Sequence, residues 1–124
     1  MLLKAFSGDP ERITVAGQQA GGASVHYHLL SPLTRGLFTR AVSMSGTALC
    51  WWASIKRPLE KAKKLAKLVD CPNNDTATMV DCLKDLPMET LMNQHPKENQ
   101  EPLTAWSPRV DVEARVPFMP REPM

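Results

Sequence analysis

The stretch Ile13-Thr14-Val15-Ala16-Gly17-Gln18-Gln19-Ala20-Gly21-Gly22-Ala23-Ser24 decides the fold of this chain of 124 residues. Its first four residues form a short apolar, β-rich run that predicts a strand, and Gly17 ends it. A helix is predicted over 20–30, where a Ser-Pro pair closes it, and a second strand is predicted over 40–44. A strand, a helix and a strand of these lengths indicate one right-handed βαβ unit with parallel strands, and therefore an α/β fold.

Glycine spacing within this stretch predicts a sharp strand-to-helix turn. Gly17 and Gly21 stand four residues apart where a strand runs directly into a helix, which is the setting of a nucleophile elbow. We expect both positions to need glycine, because a side chain there would collide across the turn. The central residue is Gln19. Ala20 follows it at the start of the helix, so the Ala20 N–H is the candidate donor of an oxyanion hole.

A helical region is predicted from about residue 58 to about residue 95. Apolar residues at helical spacing share one face of 58–69, and the lysines of this segment fall elsewhere. A second helix is expected to begin near residue 75, and Pro87 ends it or opens a short third helix. The polar, proline-punctuated residues 96–124 are assigned no regular structure.

Charge and hydropathy exclude several classes of protein. The formal net charge of +2 does not indicate a nucleic-acid partner. Basic residues do crowd 56–67, where a patch for nucleic acid or anionic lipid competes with a solvated helix face. The solvated face is favoured because the apolar stripe holds no aromatic residue. No apolar run is long enough for a membrane helix, and the first residues are too few for a signal peptide, so we expect no route out of the cytosol.

Two short strands do not make a self-sufficient parallel sheet. Parallel sheets are normally buried on both faces, and a pair of strands cannot be. We therefore expect this chain to be a piece of a larger α/β sheet domain.

Motifs on both sides of the turn resemble those of type-B carboxylesterases, the α/β-hydrolase family that includes cholinesterases and insect esterases. The matches run in the family's order along nearly the whole chain. They comprise Phe6-Ser7-Gly8-Asp9-Pro10, Ala20-Gly21-Gly22-Ala23-Ser24-Val25, His28-Leu29-Leu30-Ser31-Pro32, Arg35-Gly36-Leu37-Phe38, Ser45-Gly46-Thr47-Ala48, Cys71-Pro72 with Cys82-Leu83, and Val116-Pro117-Phe118-Met119-Pro120. The resemblance implies that 1–124 is a partial α/β-hydrolase domain whose elbow region is 13–30.

The centre of the turn departs from the family motif. Gly-Glu-Ser-Ala-Gly, with Gln in second position in some insect members, corresponds here to Gly17-Gln18-Gln19-Ala20-Gly21. The resemblance implies hydrolysis of carboxylic esters by a serine–histidine–acid mechanism that uses no cofactor and no metal. A carboxamide nitrogen is delocalised into its carbonyl and cannot be activated by a histidine base as a hydroxyl can. We therefore expect no catalytic residue in this chain, because Gln19 occupies the nucleophile position.

The resemblance also implies that the other catalytic parts fall outside these residues. In the family, a glycine loop with further oxyanion donors precedes the present Met1, and the acidic and histidine members follow the present Met124. Three interpretations stay open. The chain is an inactive esterase segment by descent, a non-catalytic cholinesterase-like adhesion protein that binds a protein partner, or a non-functional truncated product.

Cysteine usage points to two different compartments. In a cytosolic protein, Cys71 and Cys82 would more often be reduced, buried thiols. The resemblance instead implies a disulfide between them, in a family that is mostly secreted or passes through the secretory pathway. Asn74-Asp75-Thr76 lies in the same loop and fits a glycosylation acceptor at Asn74, a pattern that depends on a secretory context. Cys50 is then expected to be a buried free thiol beside two tryptophans.

The histidines are not expected to bind a metal. His26 and His28 are two apart on the predicted helix, where side chains point about 200° from each other and cannot share an ion. We expect one of them to pack and the other to be exposed. His95 is expected to lie in solvent.

Overall fold

The computed structural model describes residues 5–94 and 106–123. These residues contain two strands and four α-helices, in the order β1 Thr14–Gln18, α1 Ala20–Leu30, β2 Arg40–Met44, α2 Pro58–Leu68, α3 Thr76–Asp85 and α4 Met88–Gln94. The residues divide into two compact units. We call the unit of 5–54 with 107–123 the elbow unit, and the unit of 55–94 with 106 the disulfide unit.

The elbow unit contains the predicted strand–helix–strand arrangement. The bounds predicted for α1 and β2 are confirmed, and the two strands are parallel, with Thr14 opposite Arg40 and Gln18 opposite Met44. β1 begins one residue later than predicted and runs two residues further. The reason is that pairing with β2 carries the ladder past Gly17, up to the residue before the turn.

Small side chains on α1 let the second half of the elbow unit pack closely against it. The buried cluster comprises Ala23, Tyr27, Ala48, Ala53 and Met119. The Tyr27 hydroxyl donates a hydrogen bond to the Ala53 carbonyl. Burial is the main cause that raises the pKa of Tyr27 above its ordinary value, since it disfavours the phenolate.

Residues 107–123 of the proline-rich tail belong to the elbow unit and form neither a helix nor a strand there. It is nevertheless held by specific bonds. The Asp111 carboxylate accepts the Phe118 N–H at 2.9 Å and the Met119 N–H at 2.7 Å. These two hydrogen bonds lower the pKa of Asp111 below its ordinary value, and the bond from the Phe118 N–H has the larger effect. The tail thereby places Met119 in the buried cluster.

The disulfide unit consists of α2, α3 and α4, in the region where helices were predicted. Its buried residues are Ala66, Cys71 and Met79. Asp75 caps α3 by accepting the Thr78 N–H at 2.8 Å. That backbone bond is the largest of the causes that lower the pKa of Asp75. α2 ends at Leu68, one residue short of the prediction.

The two-stranded sheet leaves apolar side chains in contact with solvent. In β2, Val42 is 43% exposed and Met44 is 47% exposed. Such a sheet agrees with the expectation of a piece of a larger α/β domain, because parallel strands are normally covered on both faces. Among the residues that the structure describes, no helix is both long enough and apolar enough to span a membrane.

Candidate functional site

The turn between β1 and α1 places Gln19 in an unusual backbone conformation, with φ 50° and ψ −113°. A positive φ is strained for a residue with a side chain and costs on the order of 1–3 kcal/mol. Two backbone bonds hold it: the Gln19 N–H donates to the Met44 carbonyl at 2.9 Å, and the Gln19 carbonyl accepts the Ala23 N–H at 3.0 Å. The turn therefore bends where the sequence predicts an elbow, and the Gln19 side chain is exposed there.

Gly17 allows the start of the helix to fold back against the strand. A Cβ atom built on Gly17 would lie 2.2 Å from the Gly21 carbonyl oxygen, closer than atoms can approach. Because that oxygen belongs to the backbone of α1, it cannot move aside without moving the helix. The predicted collision is thus found at Gly17.

The same argument is wrong at Gly21. A Cβ built there meets no described atom within 4 Å, so no collision across the turn requires glycine at this position. In this close contact Gly21 contributes only its backbone carbonyl. The side chain that would clash is one placed on Gly17. In the described residues, an alanine would fit at Gly21.

Two further glycines, Gly22 on α1 and Gly46 after β2, allow the turn and the loop after β2 to approach each other closely. A Cβ on Gly46 would lie 2.1 Å from the Gln19 carbonyl oxygen, and a Cβ on Gly22 would lie 2.7 Å from the Gly46 carbonyl oxygen. Both residues are buried. The sequence places Gly46 directly after the second predicted strand. Its contact with Gln19 could not be predicted from that, because it depends on where the turn lies in space.

Side chains of Ser43 and His26 tie the loop after β2 to α1. The Ser43 hydroxyl lies 2.8 Å from the Gly22 carbonyl and 2.5 Å from the Gly46 carbonyl and donates its proton between them. His26 Nδ1 accepts the Ala48 N–H at 3.1 Å. Sequence reasoning missed both roles, because each joins positions about twenty residues apart.

The Ala20 N–H belongs to the first turn of α1, where helix N–H groups have no acceptor within the helix. Ala20 is exposed, directly after the strained residue. A group at this place can donate to a negatively charged oxygen, helped by the partial positive charge of the helix N-terminus. The geometry thus brings together Gly17, Gln19, Ala20 and Gly21 at the turn, with the exposed Gln19 side chain at its centre.

The serine hydroxyls nearest the turn lie in settings different from that of Gln19. Ser24 is exposed on α1, and Ser43 is engaged with backbone carbonyls. Ser45 follows β2 with a φ of 53°. None of them stands between a strand and the start of a helix, as Gln19 does.

The two histidines of α1 have separate structural roles. His26 bonds to Ala48, and His28 packs edge-on against Phe118, with ring centroids 5.2 Å apart. Both are half-buried, so the expectation that one would be exposed is wrong. In the described ranges, no cluster of three or more His, Cys, Asp or Glu could hold a metal ion. His95 lies outside the described residues.

The disulfide unit holds the remaining predicted residues. Cys71 and Cys82 form a disulfide with Cα atoms 5.9 Å apart, as the resemblance implied. Asn74 is exposed in a bend between Cys71 and α3. In the elbow unit, Cys50 is a free thiol that is half-buried rather than buried, and its sulfur accepts the Thr47 N–H at 3.3 Å.

A family model and several individual relatives all match this chain to carboxylesterases and related ester-cleaving proteins. The model of the carboxylesterase family matches residues 2–124. Venom carboxylesterase-6 of Apis mellifera is 42% identical over 125 residues, which cover 98% of this chain and 22% of that protein. Esterase E4 of Myzus persicae is 39% identical over 96% of this chain and 22% of its own length. Bile salt-activated lipase of Rattus norvegicus is 44% identical over 98% of this chain and 20% of its own length. The chain therefore spans about a fifth of the curated relatives it matches.

Proposed function

The chain belongs to the carboxylesterase family, and on that premise we propose that it supplies the elbow segment of a carboxylesterase-type α/β-hydrolase domain whose ester hydrolysis is lost at Gln19. The family acts on esters, so the substrate class of the parent activity is carboxylic esters. The proposal concerns the whole protein that carries this segment, because the segment covers about a fifth of its relatives.

One observation carries the proposal: Gln19 occupies the strained position, at φ 50°, between a strand and a helix. The tight turn exists to present one side chain at the end of a strand, beside the first N–H groups of a helix. In a working esterase that side chain is a hydroxyl, which a histidine base deprotonates as it attacks the ester carbonyl. The carboxamide of Gln19 offers neither an acidic O–H nor a free lone pair on nitrogen.

The defect is chemical rather than structural. The close approach at Gly17, the bond from Gln19 to Met44 and the packing of Gly46 are all kept. The Ala20 N–H can still face the oxygen of a bound ester or carboxylate. A complete domain with this segment would therefore fold and retain part of its oxyanion site without forming an acyl-enzyme.

The test is a graft of residues 2–124 into an active carboxylesterase of the family, in place of the corresponding segment. We expect the graft to fold and to hydrolyse an activated ester no faster than background. Gln19→Ser in the graft should recover activity, because it restores the hydroxyl on an unchanged backbone. Loss of a triad nucleophile lowers turnover by on the order of 10⁶, so the contrast is large.

Gln19→Ala is the matched control, since it removes the carboxamide and adds no hydroxyl. It should stay inactive and resist a fluorophosphonate reagent, which should label only the Gln19→Ser graft. A graft that turns over ester with Gln19 in place would refute the proposal. So would a Gln19→Ser graft that melts cooperatively and remains inactive.

A non-catalytic binding role is the second candidate, favoured by the same retention of the turn around an absent nucleophile. A cholinesterase-like adhesion protein keeps the fold and binds a partner through the domain surface. The full-length transcript separates the candidates. Upstream oxyanion glycines with a downstream acid and histidine favour an inactivated esterase, a membrane-spanning segment favours adhesion, and a stop after residue 124 favours a truncated product.

A further inference from the structure

The loop between Cys71 and α3 contains Asn74-Asp75-Thr76, the only Asn-x-Ser/Thr tripeptide in the sequence. We propose that Asn74 is an acceptor of N-linked carbohydrate. The inference is independent of the chemistry at Gln19. It rests on the disulfide unit alone and holds whether or not the protein hydrolyses esters.

The disulfide supplies the context that the tripeptide needs. Cys71 and Cys82 are bonded to each other and enclose Asn74 in the loop between them. Disulfides form and persist in oxidising compartments and are rare in the cytosol. The endoplasmic reticulum provides both the oxidising environment and the transfer of carbohydrate to asparagine. The disulfide therefore favours the compartment in which Asn74 can receive carbohydrate.

The position of Asn74 leaves room for a bulky group. Asn74 and Thr76 are both exposed, whereas the buried residues of the unit are Ala66, Cys71 and Met79. Glycans are bulky and are carried on surface segments. Carbohydrate at Asn74 would thus displace no side chain from this core.

The residue between the acceptor and the threonine is already engaged elsewhere. The Asp75 carboxylate accepts the Thr78 N–H and the Thr78 hydroxyl, each at 2.8 Å, and so caps α3. A glycan on Asn74 removes none of these bonds, because the cap is made by the next side chain. The modified loop can therefore keep the same helix start.

The transfer step uses a lipid-linked oligosaccharide diphosphate as co-reactant. A bond forms between Asn74 Nδ2 and the anomeric carbon of the first sugar, and the bond from that carbon to the phosphate oxygen breaks. The electron pair of the broken bond leaves with the lipid diphosphate, and the amide loses one proton. Thr76 supplies the hydroxyl that the acceptor pattern requires.

The experiment translates the full chain behind a cleavable secretion signal in the presence of endoplasmic-reticulum microsomes. Only chains protected from added protease are scored. We expect one discrete shift to slower electrophoretic migration, removed by peptide N-glycosidase, with Asn74 converted to Asp in the released peptide. Asn74→Gln and Thr76→Ala should each abolish the shift completely.

Two variants serve as matched controls. Asn73→Gln alters the neighbouring asparagine, which is in no acceptor pattern, and should leave the shift unchanged. Thr76→Ser keeps the hydroxyl and should retain it. Protected chains with unmodified Asn74 would overturn the proposal, and so would a shift that survives Asn74→Gln. Because the transfer acts on the chain as it enters the lumen, a variant's failure to fold does not alter the result.

Discussion

The elbow unit and the disulfide unit are stabilised in opposite ways. In the elbow unit, the critical contacts join backbone to backbone, and three of them require that Gly17, Gly22 and Gly46 have no side chain. In the disulfide unit, the constraints are a covalent bond between Cys71 and Cys82 and a side-chain cap. A turn built from backbone contacts can keep its shape when an exposed side chain such as that of Gln19 is changed.

The largest effect is expected when residues 1–124 are studied without the rest of a hydrolase domain. Two parallel strands with exposed Val42 and Met44 leave open edges and an uncovered sheet, so we expect residues 1–124 alone to aggregate or to lack fixed packing. Thermal unfolding and amide resonance dispersion measure this. A sharp cooperative melt with dispersed resonances would contradict the expectation.

Within the graft, alanine at the close-approach glycines should have the largest effect of any point change. Gly46→Ala and Gly17→Ala each force a Cβ onto a backbone oxygen, at 2.1 Å and 2.2 Å. We expect each to lower the free energy of unfolding by about 3 kcal/mol or more. Denaturant unfolding of the graft measures the loss.

Gly21→Ala is the matched control for these two variants. It adds the same methyl group within the same turn, where no described atom lies within 4 Å. Its effect should be small or even stabilising, because alanine is the better helix former. Equal losses at Gly17 and Gly21 would show that the close approach is not what selects glycine.

Removal of the disulfide tests the other unit. Changing Cys71 and Cys82 together to serine frees the loop that the bond closes, and we expect a loss of about 3 kcal/mol from the greater freedom of the unfolded chain. Denaturant unfolding in the graft measures it, and a reducing agent should bring the unmodified graft to the same value. Cys50→Ser should leave the reductant's effect unchanged, since Cys50 is a free thiol.

The smallest expected effect is a pH dependence from Asp111. Its folded-state pKa lies below that of the unfolded chain, about 3.9, so its contribution is complete above that pH and is lost as the pH falls through the folded-state value. Asp111→Asn in the graft should therefore be less stable at neutral pH, and the difference should narrow below about pH 4. Melting curves over this range measure it, with Asp85→Asn on the exposed end of α3 as control. A difference that does not change with pH would rule out the carboxylate as its source.

Sequence patterns predicted the local parts of this molecule well. The Ser-Pro pair after Leu30 located the end of α1, and the bounds predicted for β2 are those of the structure. The turn at Gln19 was predictable because strand, glycine and helix follow one another directly. In each case the deciding residues lie within a few positions of one another.

The parts that could not be predicted join distant positions. His26 meets Ala48, Ser43 meets Gly22, and Asp111 holds Phe118 and Met119 in a segment without regular structure. Each depends on where the chain returns after a loop, which periodicity does not specify. The prediction that Gly21 must be glycine was wrong for the same reason. The spacing of Gly17 and Gly21 does not reveal which of the two has a backbone atom of the other part of the turn beside it.

The strain at Gln19 has a consequence for engineering this protein. A positive φ imposed on a residue with a side chain holds energy that an active enzyme converts into correct presentation of its nucleophile. Under the proposed function the strain at Gln19 serves no reaction, so relieving it would stabilise the fold without a catalytic cost. Glycine adopts such backbone angles readily, so we expect Gln19→Gly to raise the free energy of unfolding of the domain and to leave the proposed lack of activity unchanged.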